Sequence, residues 1–139
     1  MRIAIDTNCL VAAVVRPGGA SARIVDAWLD GRVEVVASEA TAREAELVLG
    51  GGWLARMRSR ENVAALLEAL RTQTVWVDVP APIDDLPLKD EGDLRMVEAA
   101  VSGVARYIVT TDREFLSARG YGDVEFVTPA EALRALAGS

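Results

Sequence analysis

The sequence predicts an α/β fold in which helices cover a parallel sheet. Short apolar runs of strand length alternate with longer segments whose apolar residues recur at helical spacing, and this alternation is typical of consecutive strand–helix units. The 139 residues and the hydrophobic content of 51% fit one ordinary domain with a substantial core. We therefore expect a single domain over residues 1–139.

Five short apolar runs are the predicted strands, at residues 2–5, 33–37, 75–79, 107–109 and 124–127. Amphipathic helices are predicted at 21–30, 39–49 and 63–70, where apolar residues recur three and four positions apart. Ser38 and Thr128 are predicted N-caps, and Thr128 is followed by proline at N1 and glutamate at N3. Gly50 to Gly52 should end a helix, and residues 80–87 should connect a strand to a helix without helical structure.

Composition excludes several kinds of chemistry. The chain has no histidine and one cysteine, Cys9, so it has no imidazole metal site, no thiol–imidazole pair and no internal disulfide. The longest uninterrupted apolar stretch, residues 10–15, is too short to cross a bilayer, and residues 1–20 lack the pattern of a signal peptide. We expect a soluble, cytoplasmic protein that uses carboxylates, hydroxyls and arginines and has no membrane partner.

The net charge of −6 argues against a generic basic surface that binds nucleic acid. It does not exclude a nucleic-acid enzyme, because bound divalent cations reverse the sign of an acidic site. Arg56, Arg58 and Arg60 lie close together in the sequence. They either contact a phosphodiester backbone or form an ordinary solvated helix turn.

Acidic residues follow two of the predicted strands directly. Asp6 follows the strand at 2–5, and Asp112 follows the strand at 107–109 after two threonines. The carboxyl ends of parallel strands share one edge of a sheet, where open α/β folds build their sites. Asp6, Thr7 or Asn8 equally suits a helix N-cap, and Asp112 suits one as well. Thr110 is placed to hydrogen-bond a neighbouring carboxylate.

Two further acids lie on predicted helices. Glu44 lies on the same side of its helix as Leu47 and Val48. A fully solvated helix face does not require such apolar neighbours, but a half-exposed surface glutamate is the alternative explanation. Asp93 lies one turn after Asp90, the best N-cap candidate of its helix. Interaction of these acids with the helix dipole, at about 0.3–1 kcal/mol, is the alternative to a metal site.

Gathered carboxylates would need a cation. Two unit charges about 4 Å apart repel by roughly 4 kcal/mol at an effective dielectric of about 20, so a metal-free cluster should take up protons or disperse. Carboxylate oxygens are hard ligands that suit Mg²⁺ or Mn²⁺. Such ions orient a phosphate, stabilise its developing charge and lower the pKa of a bound water.

The order of these features resembles the PIN-domain family of metal-dependent nucleases, above all its VapC-like ribonuclease toxins of toxin–antitoxin systems. The resemblance covers nearly the whole chain and is carried by six segments: Ile5-Asp6-Thr7-Asn8, Gly18 to Arg32, Ala42 to Leu49 with Glu44, Lys89 to Asp93, Val109 to Glu114, and Thr128 to Leu133.

The resemblance implies a three-layer α/β/α sandwich around a parallel sheet of about five strands. It implies an endoribonuclease that uses Mg²⁺ or Mn²⁺, with Asp6, Glu44, Asp93 and Asp112 as the catalytic and metal-binding acids. The supporting positions are Asn8, Thr110 and Glu114, with Asp90 as a helper near the metal. Thr111 and Glu114 stand where many relatives have glycine and aspartate, so the last loop is expected to be stiffer and its acid to reach further.

The resemblance also implies partners: an RNA substrate, a cognate antitoxin and a second copy of the chain in a homodimer. Trp53, Leu54 and Met57 are a candidate apolar surface for such contacts, with core packing as the alternative. Three other functions are considered. They are a PIN nuclease of RNA processing unrelated to a toxin, a catalytically silent PIN-shaped module that receives a partner's arginine, and a receiver-type signalling domain. The last is disfavoured because the only lysine is Lys89, before the Asp93 helix.

Overall fold

The structure is a computed structural model that describes residues 1–55, 60–78, 80–83 and 85–138, without the side chains of Trp53, Ala55 and Arg60. Its strands are β1 (Arg2–Ile5), β2 (Glu34–Ser38), β3 (Thr74–Val77), β4 (Tyr107–Val109), β5 (Gly120–Tyr121) and β6 (Val124–Val127). They form a six-stranded sheet in the order β3-β2-β1-β4-β6-β5 within the described residues. All neighbouring strands are parallel except β5 and β6.

The helices are α1 (Thr7–Val15), α2 (Ala20–Leu29), α3 (Glu39–Leu49), α4 (Gly52–Ala55), α5 (Arg60–Thr72), α6 (Glu91–Ser102), α7 (Arg113–Ser117) and α8 (Pro129–Ala137). The predicted caps are confirmed. Ser38 accepts a hydrogen bond from the Thr41 backbone, and Thr128 and Glu131 form a reciprocal capping box. Gly50 ends α3 as predicted, but Gly52 already begins α4.

The two faces of the sheet carry separate cores because successive strand residues point to opposite sides. In β1, Ile3 and Ile5 pack in the core under α1, α2, α3, α5 and α8, whereas Ala4 packs in the core under α6 and α7. In β4, Val109 belongs to the first core and Ile108 to the second. The predicted three-layer α/β/α arrangement is therefore confirmed.

The sheet has one strand more than predicted. β5 is two residues long and pairs with β6 in an antiparallel hairpin, whose turn contains Gly122 at φ 59°. A strand this short has no apolar alternation of its own, so periodicity cannot reveal it. None of the helices in the described part of the chain is long and apolar enough to span a membrane.

Two apolar positions decide between alternatives that the sequence left open. Leu54 is 0% exposed, so it belongs to the core and not to a docking surface, while Met57 and the side chain of Trp53 are outside the described residues. Leu47 shares a helix side with Glu44 but is 71% exposed. The apolar neighbour on which the inward placement of Glu44 partly depended is thus at the surface.

The strand order reverses between β1 and β4. From β1 the chain moves through β2 to β3 on one side, and later through β4 to β6 on the other. Open α/β sheets have a crevice at the carboxyl ends of the strands where the order reverses in this way. Asp6 follows β1 and residues 110–112 follow β4, so the switch point brings them to one crevice.

The C-terminus of α6 contains a strained valine. The backbone N–H of Val104 bonds the Val101 carbonyl, and that of Ala105 bonds the Ala100 carbonyl, which is the Schellman pattern. Val104 takes the left-handed position of this motif at φ 57° and is 76% exposed. A β-branched residue rarely adopts this conformation.

We predict that Val104→Gly raises the free energy of unfolding by about 1 kcal/mol. A left-handed conformation costs an L residue roughly 1–2 kcal/mol, and the greater freedom of glycine in the unfolded chain offsets part of the gain. Urea denaturation measures the change. Val101→Gly, inside the last helical turn, is the control and should lower stability by about 1 kcal/mol. A loss of stability in Val104→Gly would contradict the strain.

Candidate active site

Thr110 links two of the predicted site acids. It is 0% exposed, and its Oγ1 donates a hydrogen bond to Asp6 Oδ2 at 2.8 Å and accepts one from the Asp112 backbone N–H at 3.1 Å. The backbone of Asp6 is itself tied to β4, because its N–H bonds the Val109 carbonyl at 2.9 Å. The structure thus holds the start of α1 and the loop after β4 together through one buried hydroxyl.

Asp6 occupies the N-cap position of α1, yet its side chain makes no cap hydrogen bond. The capping alternative therefore does not account for this carboxylate. Asp6 is 9% exposed, and burial raises the pKa of its carboxyl, while the Thr110 hydroxyl and the Thr7 backbone lower it and the charges of Asp112 and Asp90 raise it again. The fold keeps a buried acid at the crevice without pairing it to a cation.

Asp112 does act as a cap. Its Oδ1 accepts hydrogen bonds from the backbone N–H groups of Glu114 at 2.9 Å and Phe115 at 3.3 Å, at the start of α7. These bonds orient the carboxylate while its Oδ2 takes no part in them. Capping and a site role are therefore compatible for Asp112.

Glu44 and Asp90 approach each other across Gly92. A Cβ built on Gly92 would lie 2.9 Å from Asp90 Oδ1 and 3.1 Å from Glu44 Oε1. A larger residue at position 92 would make these carboxylate oxygens move, so glycine lets both carboxylates lie against the start of α6. Asp90 Oδ1 also accepts the Asp93 backbone N–H at 3.2 Å, which confirms the predicted N-cap.

Asp93 is the electrostatic centre of the site. Its pKa is raised from 3.8 to about 7, first by burial and then by the negative charges of Asp90, Asp6, Asp112 and Glu44. A carboxyl with a pKa near 7 keeps its proton up to a higher pH than an ordinary aspartate does. Such proton uptake is expected where carboxylates are gathered without a cation. We call these five residues the acidic cluster.

Glu44 belongs to the acidic cluster although its side chain is exposed overall. Partial loss of water raises the pKa of its carboxyl, and the charges of Asp6 and Asp90 raise it further. Within the described ranges, no three acidic or thiol side chains stand close enough to form a ready metal cage. The acids face one crevice and influence one another, but they remain spread around it.

The remaining predicted site residues are Asn8, Glu114 and three arginines. Asn8 and Glu114 are exposed, and in the described residues neither side chain bonds a carboxylate of the acidic cluster. Arg56 and Arg58 are outside the described residues, and Arg60 begins α5 with its side chain outside them. Their proposed contact with nucleic acid stays a prediction.

Gly92 and Glu98 were not selected from the sequence. Gly92 separates Glu91 from Asp93 in a run of acids, and a glycine inside a helix start is a usable sign of close backbone approach. Glu98 is 4% exposed, and its carboxylate forms an ion pair with Arg95 Nε at 2.9 Å and accepts a hydrogen bond from the Ile83 backbone N–H at 3.1 Å. Its helical position beside apolar residues gave no sign of these partners.

We predict that Thr110→Val lowers the free energy of unfolding by about 1–3 kcal/mol, because it leaves a buried carboxylate oxygen and a backbone N–H without their partner. Valine has nearly the same shape, so packing is kept. Chemical denaturation measures the loss. Thr111→Val, at an exposed position, is the control and should change stability little. Equal effects of the two substitutions would show that the Thr110 bridge is unimportant.

We predict that the metal-free protein loses stability as pH rises from about 4 to 7 on account of Asp93. The pKa of Asp93 is about 7 in the folded protein, above the ordinary aspartate value of 3.8. Proton binding by Asp93 therefore contributes fully to stability below pH 3.8, and this contribution is lost as the pH rises through about 7. Asp93→Asn stays neutral. The stability of this variant relative to the natural protein should therefore increase over this range, as measured by denaturation in EDTA.

The exposed site Asp26 on α2 supplies the control Asp26→Asn for the loss of one charge. A stability difference for Asp93→Asn that is constant with pH, or that reverses, would contradict the raised pKa.

Comparison with known proteins agrees with this fold. A family model described as "PIN domain" matches residues 2–114. PAE2754 from Pyrobaculum aerophilum is similar in structure, with a TM-score of 0.63 and 19% identity over 100% of this chain and 91% of that one. A second similar structure is VapBC2 from Rickettsia felis, which was solved bound to a DNA fragment from its promoter. The TM-score is 0.58 and the identity 14%, over 91% of this chain and 97% of that one.

No curated protein gives a significant match. At these identities the two solved structures show the fold alone, whereas the family match covers most of the sequence. The matched residues include all five members of the acidic cluster. The chain belongs to the PIN-domain family.

Proposed function

We propose that this PIN domain is a metal-dependent endoribonuclease that acts in the cytoplasm as the toxin of a toxin–antitoxin pair. The observation that carries the proposal is the geometry of the crevice, where β1, β4, α3 and α6 bring five carboxylates together and the Thr110 hydroxyl holds Asp6. Natural proteins place acids against one another at a cost, and they do so most often at functional sites. An acidic cluster at the switch point of a parallel sheet is such a site.

The residues present fit a hard divalent cation. Every side-chain donor of the acidic cluster is a carboxylate, the ligand type that Mg²⁺ and Mn²⁺ prefer. Glycine at position 92 leaves the space between Glu44 and Asp90 open, where a Cβ would crowd their oxygens. Asp6, Asp93 and Asp112 would hold the cation, Glu44 would bind it or orient the attacking water, and Asp90 would assist.

When bound, Mg²⁺ or Mn²⁺ supplies charge for a phosphate and acidity for a water molecule. The chain's own residues prepare for this. Thr110 fixes the Asp6 carboxylate, and the N-terminus of α7 fixes that of Asp112. Asp93, whose pKa is about 7 without a cation, would hold the cation in its deprotonated form. Water would attack phosphorus and give up a proton while the ribose oxygen leaves and takes one up, so that no covalent bond to the protein would form.

RNA as substrate, the antitoxin partner and the homodimer belong to this proposal. The VapBC2 assembly of Rickettsia felis was solved with promoter DNA, and its fold similarity to this chain supports an antitoxin partner here. A nuclease of RNA processing would have the same chemistry without that partner. Co-expression with the product of a neighbouring gene, followed by co-purification, distinguishes the two roles.

We predict that Asp6→Asn and Asp93→Asn each lower the rate of RNA cleavage in Mn²⁺ at least a hundredfold, since each removes a ligand charge from the acidic cluster. Cleavage of labelled single-stranded RNA is the measurement, and Asp26→Asn is the control with unchanged activity. Undiminished cleavage by both site variants would refute the assignment. Saturable Mn²⁺ binding by the natural protein without cleavage of any RNA would instead indicate a silent binding module.

A further inference from the structure

A second cavity of about 480 Å³ opens beside the ends of β2 and β3. Its lining includes Arg43 of α3, Arg95 and Glu98 of α6, and Asp78 and Pro80 after β3. We call it the side pocket. The proposed hydrolysis uses none of these five residues, so the side pocket needs its own explanation.

The side pocket and the acidic cluster are built on the same two helices. Arg43 directly precedes Glu44 on α3, and Arg95 follows Asp93 by two residues on α6. Both sites also lie toward the carboxyl ends of the strands, since Asp78 comes directly after β3. A nucleic-acid strand with one phosphate at the acidic cluster can therefore place a nearby nucleotide in the side pocket.

Arg95 is held in place by a buried acid. Glu98 is 4% exposed, and its Oε1 forms an ion pair with Arg95 Nε at 2.9 Å while its Oε2 accepts the Ile83 backbone N–H at 3.1 Å. The Arg95 side chain nevertheless remains 46% exposed. The guanidinium is thus paired with a buried carboxylate on one side and also lines the side pocket.

The charges of the lining argue against a phosphate. Glu39, Asp78 and Glu98 oppose two arginines, so an anion would meet repulsion as well as attraction. Arg43 and Asp78 are both exposed, and no ion pair of either is found in the described part of the chain. A carboxylate and a guanidinium in one pocket complement a neutral planar group that has donors on one edge and acceptors on another.

Resting on the proposed ribonuclease function, we propose that the side pocket binds an unpaired guanine base of the RNA. Guanine offers two adjacent N–H donors on its Watson–Crick edge, which suit the Asp78 carboxylate. Its O6 and N7 are the acceptor pair that arginine recognises, here Arg43, which has no ion pair within the described residues. Adenine has an acceptor in place of the N1–H donor of guanine and an amino donor in place of its O6 acceptor. The face of a guanidinium also stacks on a base. The side pocket is therefore a specificity site.

The test is binding measured without cleavage. Fluorescence anisotropy in Ca²⁺, with the RNA checked for integrity by gel, compares labelled oligouridines of about ten nucleotides that contain one guanosine, inosine or adenosine. We expect the natural protein to bind the guanosine RNA about tenfold more tightly than the adenosine RNA, the lower end of the discrimination from one bidentate base contact. Inosine, which lacks the exocyclic amino group, should fall between them.

Asp78→Asn and Arg43→Ala should remove the guanosine preference and leave binding of the adenosine RNA within about twofold. Asp85→Asn, an exposed acid in the same connection, and Arg23→Ala, an exposed arginine of α2, are the matched controls and should keep the preference. Equal binding of the three RNAs by the natural protein, or a preference that survives both variants, would overturn the inference.

Cleavage in Mn²⁺ is measured separately on the same RNAs. Cleavage without base preference in binding would leave the ribonuclease proposal standing and reject the guanine site. A guanosine preference without any cleavage would support the guanine site and reject the nuclease.

Discussion

Repulsion among carboxylates that the fold brings to one crevice is the constraint on which the rest of the site depends. A parallel sheet gathers the ends of its central strands at a switch point, so Asp6 and Asp112 must be neighbours once β1 and β4 pair. Glu44 and Asp93 then approach from the packed helices α3 and α6. Burial first, and then the negative charges of its neighbours, raise the pKa of Asp93 to about 7.

The fold limits this repulsion by hydrogen bonds that orient the acids but do not neutralise them. The Thr110 hydroxyl binds Asp6, backbone N–H groups bind Asp112, and Asp90 caps the helix that carries Asp93. No arginine or lysine of the described residues forms an ion pair with these acids. Arg43 and Arg95 of the same two helices line the side pocket instead.

Much of this was predictable from sequence, and the limits have physical causes. Strand alternation and helix caps depend on neighbouring residues, so the layers, Ser38, Asp90 and Thr128 were identified correctly. The two-residue β5 has no period to detect. The burial of Leu54 and the exposure of Leu47 stayed open because apolar character alone does not decide burial. Gly92 and Glu98 act through contacts between distant segments, which a single sequence does not reveal, whereas Thr110 could be selected because it stands between a strand and an acid.

The most direct test of the central claim is a calorimetric titration of the metal-free protein with Mn²⁺ near pH 7, repeated in two buffers of different ionisation enthalpy. The cation should bind saturably, and the heat should depend on the buffer because Asp93 releases its proton as positive charge enters the acidic cluster. Absence of saturable binding, or binding with no proton release, would contradict the view that these acids are gathered to hold a divalent cation.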